Sequence, residues 1–184
     1  MTKIKTIKPE VASEAAKGIM EMINKKLGRV PNMYQVMANS PAVLEAYVKF
    51  NGALSGGTLG NKMAELIALA TAEANTCSYC LSAHSFFGTK VGLSEEQMLE
   101  GRTFHSQDEK MNAGLLFAKK LLDNPKEISS ADIEPLRNVG YSDGDILEIV
   151  ANVIRNIFTN YINIISETDV DWPVIVKSLY IKNK

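Results

Sequence analysis

Apolar residues recur at helical spacing along most of this 184-residue sequence, and no segment shows the regular alternation of a half-buried strand. Between residues 61 and 75, for example, one helical face would carry the apolar side chains of Met63, Leu66, Ile67 and Ala70. The same periodicity returns in most later segments. The sequence therefore predicts an all-α fold, a bundle of roughly eight or nine helices.

Capping residues and chain breakers predict where these helices begin and end. Ser40 before Pro41 is a typical start, the Ser94 segment resembles a capping box, the Ser142 segment is expected to cap a long helix, and Gly28 and Gly140 are typical stops. Thr76 is expected to cap the helix that begins at Cys77. The predicted helices cover residues 11–27, 41–54, 61–75, 77–89, a short segment after 94, 108–122, 130–138, 142–166 and a last segment to about 182, with a short turn of helix at best in 32–39.

Composition and charge exclude several functional classes. Hydrophobic residues make up 46% of the chain, which is enough for a core without disulfide or metal support. The chain has 20 Lys and Arg residues and 21 Asp and Glu residues, a net charge of -1. This balance does not predict a strongly basic surface for nucleic acid or an anionic membrane. No apolar run approaches a membrane span or a signal peptide. We expect a single domain over residues 1–184 and a cytoplasmic protein that binds neither nucleic acid nor membranes.

The cysteines and histidines are few and clustered. The chain has two cysteines and two histidines, and Cys77, Cys80 and His84 are spaced three and four residues apart. On a helix these spacings place all three side chains on one face. Two thiols one turn apart can form a disulfide, and a nearby imidazole can accept a thiol proton. The segment therefore favours a thiol-based redox site.

Other interpretations of the cysteine cluster remain open at this point. Free cysteines are often small core residues. A zinc site would need His105 as a fourth ligand to join Cys77, Cys80 and His84, but His105 lies in a polar loop and is more readily explained as a surface residue. A thioredoxin-like fold would need a strand before the cysteines, where the sequence predicts a helix.

A weak internal similarity leaves two explanations open. Residues 65–68 resemble residues 148–151, and this alignment places Cys77, Cys80 and His84 opposite Asn160, Asn163 and Glu167. Either a helical unit was duplicated and its second copy lost its reactive groups, or two unrelated amphipathic helices look alike. In both cases the chemistry is expected in the first segment alone.

These residues support a family resemblance. Glu65, followed by Cys77-Ser-Tyr-Cys80 and His84, resembles the signature of the carboxymuconolactone decarboxylase superfamily, specifically its alkyl hydroperoxidase (AhpD-like) branch. The segments Ser142–Glu148, Asn160–Asn163 and Asp169–Pro173 are also similar to the C-terminal region of that family. The resemblance covers roughly residues 40 to 175 and implies an AhpD-like helical bundle.

The resemblance implies a peroxidase that needs no cofactor. Cys80 would be the thiolate that attacks the peroxide, and Cys77 would resolve the resulting sulfenic acid as a disulfide. His84 and Glu65 would form the proton relay. The dipole of the helix would favour Cys77 as the more acidic thiol, whereas the spacing to His84 favours Cys80, and we follow the latter.

Tyr79 is the one departure from the motif, because members of the branch carry a histidine at this position. A tyrosine hydroxyl, with an ordinary pKa of about 10, is a poor base at neutral pH. Tyr79 is therefore either a member of the proton relay or a packing residue.

The resemblance also implies partners and alternative functions. A small alkyl or hydrogen peroxide would be the substrate, a lipoylated protein or another dithiol would reduce the disulfide, and the chain would form a homo-oligomer. No glycine-rich phosphate loop is present, so no nucleotide or flavin cofactor is expected. The alternatives are a carboxymuconolactone decarboxylase-like enzyme and a non-enzymatic redox-sensing or metal-binding helical protein.

Overall fold

The computed structural model describes residues 3–173, which form nine α-helices and no strand. The all-α fold predicted from the sequence is therefore confirmed. In chain order the helices are α1 (Glu14–Leu27), α2 (Asn32–Met37), α3 (Pro41–Leu54), α4 (Asn61–Ala74), α5 (Ser78–Lys90), α6 (Glu95–Arg102), α7 (Glu109–Asp123), α8 (Ser130–Asn138) and α9 (Asp143–Ser166), with 3-10 turns at Pro9–Val11 and Pro125–Glu127.

Helix α4 is the centre of the bundle. Every residue from 66 to 73 is buried, and α4 packs against α5, α6, α7 and α9. The predicted core residues Met63, Leu66, Ile67 and Ala70 are all 3% exposed or less. A helix buried on several sides needs apolar residues around most of its circumference, which explains the run of Leu, Ile and Ala in this segment.

Most predicted helix boundaries are confirmed within two residues. Ser40, Ser94 and Ser142 cap α3, α6 and α9 through their side chains, and the latter two form complete capping boxes. Gly28 ends α1 in the left-handed conformation, with φ of 74°. Residues 32–37, expected to form a turn of helix at best, form the short helix α2.

The first helix begins later than predicted. Helix α1 begins at Glu14 because the Ser13 side chain accepts a hydrogen bond from the Ala16 backbone, and Val11 lies in the preceding 3-10 turn with 75% exposure. The buried face of α1 carries Ala16, Met20 and Ile23. The capping serine, and not the first apolar residue, fixes where this helix starts.

Thr76 does not cap α5, which corrects another sequence prediction. Thr76 has a φ of 54° and belongs to the connection after α4, while Cys77 is the N-cap residue of α5. The Cys77 backbone donates to the carbonyl of Ala72 at 2.8 Å. This tight reversal lays the start of α5 against the end of α4.

The two segments with internal similarity differ in structure. Residues 61–90 form two helices separated by a reversal, whereas the aligned residues 144–173 begin with the uninterrupted helix α9. The similarity therefore does not extend to a repeated helix pair. The predicted last helix, which would run to about residue 182, lies outside the described residues. None of the helices in residues 3–173 is long and apolar enough to cross a membrane.

A buried ion pair joins α4 to α6. The Nε and Nη2 atoms of Arg102 lie 2.7 and 2.6 Å from Oε2 of Glu73, and both side chains are almost fully buried. A buried charge is costly unless a partner of opposite charge compensates for it. The pair therefore fixes how these two helices pack.

Replacing one member of this pair tests its structural role. Arg102→Met should lower the free energy of unfolding by about 3–5 kcal/mol, because the Glu73 carboxylate stays buried without the guanidinium beside it. Urea denaturation measures the change. The control is Arg137→Met at an exposed ion pair, which should leave the midpoint unchanged. Equal midpoints for both variants would contradict the assigned role.

Candidate active site

The two cysteines lie at the start of α5 and form a disulfide. Their Cα atoms are 5.3 Å apart, within the range that a disulfide requires. Cys77 is the N-cap residue, and its sulfur accepts a hydrogen bond from the Cys80 backbone at 3.3 Å. A sequence separation of three, from the N-cap to the first turn of α5, therefore brings the two sulfurs together.

The two cysteines differ in their position relative to a cavity. A cavity of about 550 Å³ lies beside α4, α5 and α9, and Cys80 lines it, whereas Cys77 does not. Both cysteines are nearly fully buried, at 1% and 2% exposure. A molecule that enters the cavity can reach Cys80 first.

Glu65 and His84 form a pair on the cavity wall. Nδ1 of His84 lies 2.8 Å from Oε2 of Glu65, and each side chain is less than a fifth exposed. Glu65 comes from the first half of α4 and His84 from α5, so the contact depends on the packing of these helices. A carboxylate that binds one ring nitrogen orients the imidazole and leaves the other nitrogen available for proton exchange.

Helix α9 contributes a contact that the sequence did not identify. Nδ2 of Asn163 donates to Sγ of Cys80 at 3.5 Å, and Oδ1 of Asn160 accepts from Asn75 at 2.9 Å. An amide donor close to the sulfur stabilises a thiolate. The internal alignment placed Asn163 opposite Cys80, but only the packing of α9 on α5 brings them into contact.

The hydroxyl of Tyr79 is held in a structural network. It accepts hydrogen bonds from the Met33 backbone at 3.3 Å and from Nε1 of Trp172 at 3.1 Å. Burial, and then the negative charge of Asp171, raises the pKa of Tyr79 well above its ordinary value. Tyr79 therefore remains protonated at neutral pH, and this geometry favours the packing interpretation over a role as a base.

The segment after α9 closes one side of the cavity. Asp171 accepts hydrogen bonds from Arg29 at 2.7 Å and from the Asn32 backbone at 2.9 Å. The Trp172 ring lies against Phe86 and Phe87 and under the Arg29 guanidinium, which is 4.3 Å from the ring centroid. These contacts hold Asp171 and Trp172 beside the site, although both are distant from the cysteines in sequence.

One stripe of α9, which the sequence did not identify, lines the cavity with polar side chains. The stripe consists of Asn152, Arg155, Thr159 and Asn163. All four are buried, at 7% exposure or less. Their spacing of three, four and four residues places them on one helical face, and polar residues at this spacing in an apolar helix are the signal that could have identified it.

The structure also shows where His105 lies and whether the described residues contain a cluster that could bind a metal ion. His105 is exposed in the connection between α6 and α7, as the sequence predicted. Within residues 3–173, no group of three or more His, Cys, Asp or Glu side chains is arranged to hold a metal ion.

Comparisons with known proteins agree with this architecture. Residues 41–120 match the model of the carboxymuconolactone decarboxylase family. No curated protein matches the chain.

Solved structures with the same fold are similar over almost the whole chain. An uncharacterized peroxidase-related protein from Ralstonia eutropha JMP134, described as an alkylhydroperoxidase AhpD core, has 24% identity and a TM-score of 0.82, over 92% of each chain. A peroxidase-related protein from Silicibacter sp. TM1040 has 24% identity and a TM-score of 0.79, over 91% of this chain and 89% of its own. The debrominase Bmp8, in a variant bound to 2,3,4-tribromopyrrole, has 19% identity and a TM-score of 0.77, over 93% and 92%.

The network around Tyr79 leads to a prediction about stability. Tyr79→Phe removes the acceptor for the buried Met33 backbone donor and the partly buried Trp172 indole, so the free energy of unfolding should fall by about 1–3 kcal/mol. The pH profile of any thiol reaction at Cys80 should keep its shape, because the hydroxyl is not the base. Chemical denaturation and a pH–rate profile measure the two effects. A displaced pH profile with unchanged stability would assign Tyr79 to the proton relay instead.

Proposed function

We propose that this chain is a cysteine-based peroxidase, because residues 41–120 match the carboxymuconolactone decarboxylase family and the chain has the AhpD-like fold. Family and fold together support a peroxidase-related or decarboxylase-like function. The finer proposal is that the enzyme reduces alkyl or hydrogen peroxides through a disulfide cycle of Cys77 and Cys80.

The observation that carries the proposal is the grouping of reactive side chains at one cavity. Cys80 and the Glu65–His84 pair line the same space, and Cys77 is positioned to form a disulfide behind Cys80. A peroxidatic thiol needs access to substrate, a proton acceptor and a resolving thiol. These described residues supply each requirement.

In the proposed cycle, His84 takes the thiol proton of Cys80, with Glu65 stabilising the protonated imidazole. The Cys80 thiolate attacks the terminal peroxide oxygen, so an S–O bond forms while the O–O bond breaks. The leaving alkoxide receives the proton from His84 and departs as an alcohol, or as water when hydrogen peroxide reacts. The Cys77 thiol then attacks the sulfur of the Cys80 sulfenic acid, which forms the disulfide and releases water.

The disulfide must then be reduced by an external dithiol. A lipoylated protein or another dithiol transfers two electrons and two protons to Cys77 and Cys80 and becomes a disulfide itself. We expect this cycle to run in the cytoplasm, where thiol reductants are maintained. The cycle is complete with these thiols and needs no cofactor.

We also propose that the chain assembles as a homo-oligomer. Helix α9 presents large apolar side chains that are at least 37% exposed; they are Leu147, Ile154, Phe158, Tyr161, Ile164 and Ile165. An exposed apolar helix face is typical of contact between subunits. The face lies opposite the polar stripe that lines the cavity, so assembly would leave the site in place.

Counting thiols tests the disulfide cycle. One equivalent of cumene hydroperoxide added to the reduced protein should consume two thiols per chain, as measured with a thiol reagent. Cys80→Ser should abolish peroxide consumption, whereas Cys77→Ser should consume one equivalent and stop at the sulfenic acid. Full turnover by Cys80→Ser would contradict the proposal. Conversion of a carboxylated lactone by the Cys77→Ser/Cys80→Ser double variant would favour the decarboxylase alternative that the family match supports.

The two histidines provide a matched test of the proton relay. His84→Gln should lower kcat/KM for cumene hydroperoxide by about 10²- to 10⁴-fold, the usual contribution of a general acid–base group. His105→Gln removes an exposed imidazole and should have no effect. Steady-state kinetics with excess dithiol measures both variants. Equal losses, or no loss in His84→Gln, would exclude the relay.

A further inference from the structure

We infer that the cavity binds ligands that carry a carboxylate, and that Arg155 is the residue that holds this group. As a statement about substrate class, the inference rests on the proposed peroxidase function, and it specifies an apolar hydroperoxide with a carboxylate at some distance from the peroxide.

Arg155 is a buried cation without a charged partner in the described part of the chain. Its side chain lines the cavity, the residue is 7% exposed, and Nη1 donates to Oδ1 of Asn51 at 3.1 Å. No carboxylate of residues 3–173 forms an ion pair with it. Burial of a guanidinium is costly unless an anion compensates for its charge. A bound carboxylate would supply this compensation.

The other charged residues on the cavity wall add to the positive potential. Lys26 and Lys90 also line the cavity, both exposed to solvent. Glu65 is the one carboxylate among the described lining residues, and it is already bound to His84. Cations therefore outnumber carboxylates on this wall, and the field inside favours an anion.

The neighbouring tyrosines do not neutralise Arg155. Tyr34 and Tyr47 line the cavity, and burial raises the pKa of both hydroxyls above the ordinary value. Both hydroxyls remain neutral at physiological pH, so neither compensates for the charge of Arg155. On the preceding turn of α9, Oδ1 of Asn152 is buried without a hydrogen-bond partner, so a hydrogen-bond donor such as a water is needed there.

The separation of the two ends of the cavity indicates the size of the ligand. Asn163 contacts Sγ of Cys80, and Arg155 lies eight residues earlier on α9, which corresponds to about 12 Å along the helix axis. Apolar side chains fill much of the remaining wall; they include Ile23, Leu27, Met33, Val48 and Leu59. A peroxide at Cys80 and a carboxylate at Arg155 would thus be joined by a medium-length apolar chain.

The first experiment measures binding without any chemistry. Trp172 is the single tryptophan of the chain and lines the cavity, so its fluorescence reports on occupancy. Decanoate and methyl decanoate are titrated into the oxidised full-length protein below their aggregation limits; they share the same acyl chain, and only decanoate carries a charge. The wild-type protein should bind decanoate at least about 10-fold more tightly, as expected for a charge-assisted hydrogen bond. Equal affinities would overturn the inference.

Variants then assign the effect to Arg155. Arg155→Gln should bring the affinity ratio of acid to ester close to one, and Arg155→Lys, which keeps the charge, should retain part of it. Arg137→Gln, which removes an arginine outside the cavity, should keep the wild-type ratio. Circular dichroism tests whether each variant is folded. If a variant does not fold, the comparison of decanoate with methyl decanoate on the wild-type protein still tests the inference. A folded Arg155→Gln protein with the full wild-type ratio would overturn the inference.

A second experiment separates this inference from the proposed function. The hydroperoxide of linoleic acid and its methyl ester are compared as substrates of the wild-type enzyme with excess dithiol. A kcat/KM about 10-fold or more higher for the acid supports both proposals. Equal kcat/KM values would overturn the assigned substrate class while leaving the peroxidase in place. Selective decanoate binding with no consumption of either hydroperoxide would overturn the peroxidase and support Arg155 as a carboxylate site.

Discussion

The burial of α4 is the constraint on which the rest of the structure depends. Its residues 66–73 are enclosed by four other helices, so the position of each neighbour is fixed by how it packs on this one surface. Glu65 lies where the helix meets the cavity, and Glu73 lies near its other end, bound to Arg102. The reversal between Asn75 and Cys77 then returns the chain along the same helix, which brings His84 to Glu65 and Cys80 to the cavity wall.

The polar groups around Cys80 come from distant parts of the chain. Helices α4 and α5 supply the carboxylate of Glu65, the imidazole of His84 and the sulfur of Cys80, α9 supplies the polar stripe, and the segment after α9 closes one side with Trp172. The stripe gives the site both the amide beside Cys80 and the cation of Arg155. One helix therefore supplies both a contact to the Cys80 sulfur and the cation that we propose binds a ligand carboxylate.

Short-range patterns predicted much of this molecule. Capping serines and glycines located most helices, and the i, i+3 and i+7 spacing of Cys77, Cys80 and His84 anticipated a shared cluster. Errors arose where two local signals competed. Val11 continues the apolar pattern, but the hydrogen bond of Ser13 starts α1 later, and Cys77 rather than Thr76 caps α5 because Thr76 takes part in the reversal.

The sequence by itself determined the all-α class, most helix limits and the grouping of the two cysteines with His84, because each depends on residues within a few turns of one another. Only the tertiary structure decided that Cys80 and not Cys77 faces the cavity, that Tyr79 is held by Met33 and Trp172, and that Asn163 and Arg155 belong to the site. These relations join residues up to 93 positions apart. They depend on how helices pack, which local spacing does not encode.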